Sequence, residues 1–265
     1  MLELLEQLFR QVRAFMHSER FDRNLVYFES PEHTTMQFDR DAEDLIINGL
    51  SESGHGFEVL TEERPPFTTS TWPHYRIVVD PVDGSTNVTR GIMTAGVALA
   101  VLPIDAPIHP DHVQWALVGE LFSGTVYQAQ RGSGAFCNGR RCNVSDIQQL
   151  SQSIVGMNFD GRDLDTLQKF LTEKPVPGKV RRSGSSAMDI VYVANGAYDA
   201  YIDIGRVLTA ESFLASLSIV LEAGGTISDQ HGKPLRNIGQ LTDGFSLIVA
   251  GTKELHQEIL AKTNS

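Results

Sequence analysis

The chain has 265 residues, 41% of them hydrophobic, and its 33 acidic against 22 basic side chains give a formal charge of −11. This length and apolar content fit one sizeable domain or two closely packed lobes, and the negative charge disfavours general nucleic-acid binding, because phosphate backbones would be repelled. Two cysteines, Cys137 and Cys142, make neither a disulfide framework nor a zinc site. An N-terminus interrupted by acids is no signal peptide, and no apolar run is long enough to span a bilayer, so a cytoplasmic protein that does not engage membranes is expected.

Leu2, Leu5, Leu8, Val12 and Phe15 recur at helical spacing, as do Ala42, Leu45, Ile46 and Leu50 after Asp39. These patterns predict two amphipathic helices covering a sheet. Short strands are predicted at 57–60 and 76–79, joined by a Pro- and Thr-rich loop, 65–73, that cannot be helical. Strand signals at 96–102, 113–122 and 124–130, punctuated by Gly or Pro, predict an antiparallel meander. Beyond about residue 150 the pattern alternates: strand 153–159, helix 162–173, helix 186–196, strand 197–204, helix 211–225 and strand 246–251. That alternation implies a second α/β layer, with Gly196 and Gly224 placed where helix ends take left-handed residues. The expected arrangement is a single unit, 1–265, with an N-terminal lobe of about 1–145 and a C-terminal lobe of about 146–265.

The stretch RIVVDPVDGSTNV, residues 76–88, carries the chemistry. An apolar strand runs into Asp80 and Asp83, and acids at a strand end project into the crevice beyond the sheet, where a cation can sit. Pro81 stiffens the link, Gly84 permits an unusual backbone angle, and Ser85, Thr86 and Asn87 are helix N-cap types. A helix N-terminus beginning here would offer N–H groups to an anion beside hard oxygen ligands for Mg²⁺, a pairing suited to phosphoester chemistry. Glu62 and Glu63 follow the strand signal FEVL and reach the same crevice if the two strands are neighbours. Each acid alone reads as a solvated strand end; their coincidence does not. His109 and His112 lack a third zinc ligand, GSGAFCNG lacks the helix of a dinucleotide motif, and Ser185-Ser186 lacks a nucleophile elbow.

The segments TEE (61–63), DPVDGSTN (80–87), GELFSGTVYQAQRGSGAFCNG (119–139), RRSGSSAMDIVYVANGAYDAY (181–201) and EAGGTISDQHGKPL (222–235) resemble, in order and spacing, the inositol monophosphatase family. The resemblance implies an α/β fold built as a layered α/β/α/β/α sandwich, usually a homodimer, and Mg²⁺-dependent, Li⁺-sensitive hydrolysis of small phosphomonoesters, with Mn²⁺ as a possible substitute. It assigns Glu62, Asp80 and the Val82 carbonyl to a first cation and Asp83 to a second. Gly84 and Ser85 would offer N–H groups to phosphate, and Asp39 would hydrogen-bond Ser85 so that the pair orients the attacking water, with Glu62 as another proton acceptor. Gly184, Ser185 and Ser186 match a backbone segment lining the substrate pocket, and Asp203 matches an acid that contacts sugar hydroxyls. Arg181 and Arg182 are placed to aid an anionic substrate or a dimer contact.

One position departs from the family pattern. The helix leading into EAGG usually opens with an Asp that binds the second metal; here Ser212 stands at that position and Glu211 just before it. Either Glu211 swings into the site or Ser212 caps the helix and leaves the site weak. Because one residue along a helix turns a side chain by about 100°, the weak site is the expectation. The leading function is hydrolysis of inositol 1-phosphate or a related polyol or sugar phosphate. Fructose-1,6-bisphosphatase activity, 3'-phosphoadenosine 5'-phosphate phosphatase activity, and a weakly active protein-binding role are the alternatives.

Overall fold

In the computed structural model, which describes residues 1–29, 34–62 and 64–264, the apolar stripe of the first residues forms α1 (Leu2–Met16). A ribbon of β1 (Val26–Glu29) and β2 (Thr34–Met36) leads into α2 (Gln37–Glu52). There follow β3 (Phe57–Thr61), β4 (Phe67–Thr68), β5 (Tyr75–Asp83) and α3 (Ser85–Arg90). The predicted antiparallel meander is present as β6 (Gly96–Pro103), β7 (Trp115–Glu120), β8 (Val126–Gln130) and β9 (Gly134–Cys137), with β10 (Arg140–Arg141) after the turn. The second half contributes β11 (Ile154–Met157), α4 (Leu164–Thr172), β12 (Lys179–Arg181), α5 (Ser186–Ala194) and β13 (Ala200–Leu208). It closes with α6 (Ala210–Glu222), β14 (Thr226–Ser228), β15 (Phe245–Ala250) and α7 (Lys253–Thr263).

The larger sheet has the order β10-β9-β8-β7-β6-β5-β3-β4, the smaller β12-β11-β13-β15-β14. Strand alternation divides their side chains between layers. Ile77 and Val79 of β5 face α1 and α2, whereas Val78 faces α5 and α6. Tyr201 joins the same central layer, while Ala200 and Ile202 face Leu167 of α4 and Ile259 of α7. The result is the expected succession of α, β, α, β and α layers. Its central layer of α5 and α6 is buried on both sides, which is why their apolar positions show little periodicity.

Two local features position the site. Along β5, Asp80 pairs with Ala98 and Asp83 with Gly96, so Pro81 and Val82 lie opposite Val97 alone. This bulge accepts a proline inside a strand. In an unbroken strand residues three apart face opposite ways; the extra residue turns Asp83 back to the side of Asp80. The chain then enters α3 through Gly84 at φ 104°, a conformation that glycine adopts without a Cβ clash.

Gly119 of β7 lies under Phe9 of α1: a Cβ there would sit 2.3 Å from Phe9 Cδ2, and the ring is buried. Gly119→Ala is expected to cost about 1–3 kcal/mol through overpacking, read as a lower urea midpoint at unchanged slope.

Candidate active site

β3 and β5 are parallel neighbours, with Thr61 opposite Val79. The next residue along each is an acid, so Glu62, just past the end of β3, and Asp80, still paired with β6, lie side by side. Asp80 is 1% exposed. Its Oδ2 accepts from Ser212 Oγ at 3.2 Å, and its Oδ1 is buried with no hydrogen-bond partner. Burial, then the charges of Glu62, Asp83 and Glu211, push its pKa well above the usual range.

Asp83 Oδ2 accepts from Ser185 Oγ at 2.5 Å and from the Ala187 amide at 2.6 Å, at the start of α5. Burial outweighs these bonds and, helped by Asp189 and Glu211, lifts its pKa to about 7. Glu211, in the first turn of α6, is buried as well. Thr209 Oγ1 donates to its Oε1, its Oε2 has no hydrogen-bond partner, and burial raises its pKa.

Ser85 Oγ lies 2.7 Å from Asp39 Oδ1 and 2.9 Å from the Val82 carbonyl. Asp39 is held in the first turn of α2, where its Oδ2 accepts from the Met36 amide at 3.1 Å. The Ser85 and Thr86 amides precede the first bond of α3, from the Asn87 amide to the Gly84 carbonyl, so they have no intrahelical acceptor and flank the acids. Gly184 brings the next loop in closely: a Cβ there would meet Asn87 Oδ1 at 2.8 Å. Asn87 Nδ2 in turn donates to Ser183 O and Thr94 O, 2.8 Å each.

Ser212 is not a cap, because α6 is capped at Thr209 and Ser212 lies inside the first turn; its hydroxyl is spent on Asp80. Glu211 is not rotated out of the cluster. Its longer side chain, pinned through Thr209, keeps it close enough to raise the pKa of both Asp80 and Asp83. Asp203 is fully buried, gripped by Arg162 Nε and Nη2 at 2.9 Å each and by the Tyr201 hydroxyl at 3.1 Å, so it is unavailable to a sugar. Ser185, 1% exposed, caps α5 and donates to Asp83. Arg182 is paired with Asp160 and Asn158. Glu63 lies outside the described residues.

Among the described residues no three His, Cys, Asp or Glu side chains form a ready-made cation cage. The donor set nevertheless suits a hard divalent cation. Asp80 feels the charges of Glu62, Asp83 and Glu211, and buried Asp80 Oδ1 and Glu211 Oε2 have no hydrogen-bond partner. Such oxygens take Mg²⁺-like ions. Glu62 and Glu211 also border a cavity of about 550 Å³, walled on its other sides by Leu60, Pro65, Ile108 and Leu241. No helix among the described residues is long and apolar enough to cross a membrane.

The family model for the inositol monophosphatase family matches residues 2–265. A fructose-1,6-bisphosphatase/inositol-1-monophosphatase of Methanothermobacter thermautotrophicus is 30% identical, over 98% of this chain and 93% of its own. An inositol-1-monophosphatase of Mesorhizobium japonicum is 32% identical, over 89% and 84%. Among solved structures, the extragenic suppressor protein suhB of Bartonella henselae superposes with a TM-score of 0.79 at 26% identity, covering 100% of this chain and 97% of that one.

Raised carboxyl pKa values mean that these groups hold protons where ordinary acids have lost them, so a cation must displace protons to bind. Affinity for a divalent cation is therefore expected to fall as pH drops through about 7, where Asp83 titrates. Calorimetry in buffers of different ionisation enthalpy should show proton release; constant affinity from pH 8 to 5.5 without release would contradict it. For Asp203→Ala, which strands the buried Arg162 guanidinium, a stability loss of about 3–5 kcal/mol is expected, checked by chemical denaturation.

Proposed function

The chain belongs to the inositol monophosphatase family and is a phosphoric monoester hydrolase; from that premise we propose that it hydrolyses a small polyol or sugar monophosphate such as inositol 1-phosphate, with Mg²⁺ as cofactor. The observation that carries this reading is the convergence of Asp80, Asp83 and Glu211 beside the Ser85–Asp39 hydrogen bond. Glu62, Asp80, Asp83 and the Val82 carbonyl would hold the cations. Glu211 takes the place of the acid missing at Ser212. When bound, a divalent cation makes a nearby water more acidic and neutralises charge developing on the phosphoryl oxygens.

The chain's own residues supply the rest. Ser85 has one hydroxyl hydrogen and two acceptors in reach. Donation to Asp39 leaves its oxygen free to accept a proton from water and the Val82 carbonyl free for a cation. As Ser85 takes the proton of water it passes its own to Asp39, so the pair acts as one general base. The α3 amides at Gly84 and Ser85 face the phosphoryl oxygens, and the Asn87 clamp on Ser183 keeps the neighbouring loop closed around them. Water attacks phosphorus in line with the departing alcohol, without a covalent enzyme intermediate. Li⁺ sensitivity and a homodimer belong to the same reading and rest on the family resemblance.

The relative named for both fructose-1,6-bisphosphatase and inositol-1-monophosphatase activity favours fructose 1,6-bisphosphate as a second substrate. Phosphate release from inositol 1-phosphate, fructose 1,6-bisphosphate and 3'-phosphoadenosine 5'-phosphate decides between them; highest kcat/KM on the nucleotide would reject the polyol reading. Ser85→Ala and Asp39→Asn are each expected to lower kcat roughly 10²–10⁴-fold, and the double variant to lose no more than the worse single one. Glu211→Gln should raise the Mg²⁺ concentration needed for half-maximal rate. An unchanged Mg²⁺ requirement would remove Glu211 from the site.

A further inference from the structure

We infer that Glu43, which lies outside the carboxylate cluster, is the positioning residue that fixes Glu62 as a cation ligand. The inference rests on the reading of Glu62 as a ligand. Glu43 belongs to α2 and is fully buried. Its Oε1 accepts from Thr61 Oγ1 at 2.8 Å, and its Oε2 accepts from Arg64 Nε at 2.5 Å and Arg40 Nη1 at 3.2 Å. Thr61 immediately precedes Glu62, and Arg64 follows two residues later. One buried carboxylate therefore holds both flanks of the segment that carries the ligand.

A second tie runs from Arg64 Nη2 to Asp44 Oδ1, 2.6 Å, on the same helix. Glu62 itself is exposed, at the point where β3 ends and the ladder no longer fixes the chain. Without an external hold, ordering this segment would be charged against cation binding.

The clamp also sets a spacing. Asp39 and Glu43 are four residues apart and share one face of α2. Asp39 reaches Ser85, and Glu43, one turn on, reaches the Glu62 segment. A single rigid helix thus fixes the distance between the proton acceptor and the ligand loop. Partners behind metal ligands are typically worth 10- to 100-fold in metal affinity.

The test is a double-variant cycle on Mn²⁺ affinity of the full chain, measured by calorimetry. Glu43→Gln is expected to weaken Mn²⁺ roughly tenfold or more while leaving KM for the phosphate ester unchanged, and to cause no further loss when Glu62→Gln is already present. Equal losses in both backgrounds would show that Glu43 acts on the fold at large and would overturn the inference, as would no loss at all. If Glu62→Gln alone binds Mn²⁺ normally, the ligand reading falls and takes the inference with it, an outcome distinct from the other two. Should Glu43→Gln fail to fold, Thr61→Val and Thr61→Ser decide: loss of affinity with Val and retention with Ser is expected, and equal affinity of the two would refute the clamp.

Discussion

Carboxylates gathered at the ends of two adjacent parallel strands repel one another, and burial deepens the conflict by removing the water that would screen them. In this protein Glu62 at the end of β3 and Asp80 in neighbouring β5 lie side by side, a strand bulge turns Asp83 toward them, and Glu211 arrives from α6. A protein keeps such an arrangement only if something offsets its cost. Part of the offset is visible: Ser212 donates to Asp80, Ser185 and the Ala187 amide donate to Asp83, and Thr209 donates to Glu211. The buried oxygens of Asp80 and Glu211 that have no hydrogen-bond partner mark what a divalent cation would supply.

The rest of the molecule holds this unfavourable cluster in place. The sheet fixes the strand ends, and three of the helices that pack on its two faces lend a first turn to the site. α2 presents Asp39, α5 presents its amide end to Asp83, and α6 presents Glu211 and Ser212. Gly84 and Gly184 let two loops approach within contact distance: a Cβ on Gly84 would meet Thr94 O at 3.2 Å and Ser185 Cβ at 3.4 Å. The Arg162–Asp203 ion pair, sealed in by Tyr201, lies beneath α5 as structural support.

Much of this was legible in local patterns. The strand-to-helix passage at DPVDGSTN, the meander, the helical stripe of α1 and a second α/β layer follow from periodicity and turn chemistry that act within a few residues, whereas the full α/β/α/β/α succession is implied by the family resemblance. Contacts between segments distant in sequence were not legible. Ser212 and Asp80 are 132 residues apart, and Asp203 finds Arg162 at a separation of 41; neither pairing leaves a local signature. A buried strand acid looks the same in sequence whether it faces a ligand or an arginine. The helical offset between Glu211 and Ser212 was read correctly as geometry, but side-chain length and the Thr209 hydrogen bond decided where the carboxylate ended up. α7 and the short strands β12 and β14 escaped because their apolar signal is brief or weakly periodic.

Anomalous diffraction from a crystal soaked in Mn²⁺ and inorganic phosphate tests the central claim most directly. The account predicts manganese peaks within coordination distance of Asp80 and Glu62, with Glu211 or Asp83 on a second ion and phosphate against the start of α3. Manganese bound elsewhere, with these carboxylates protonated and bonded to one another, would contradict it.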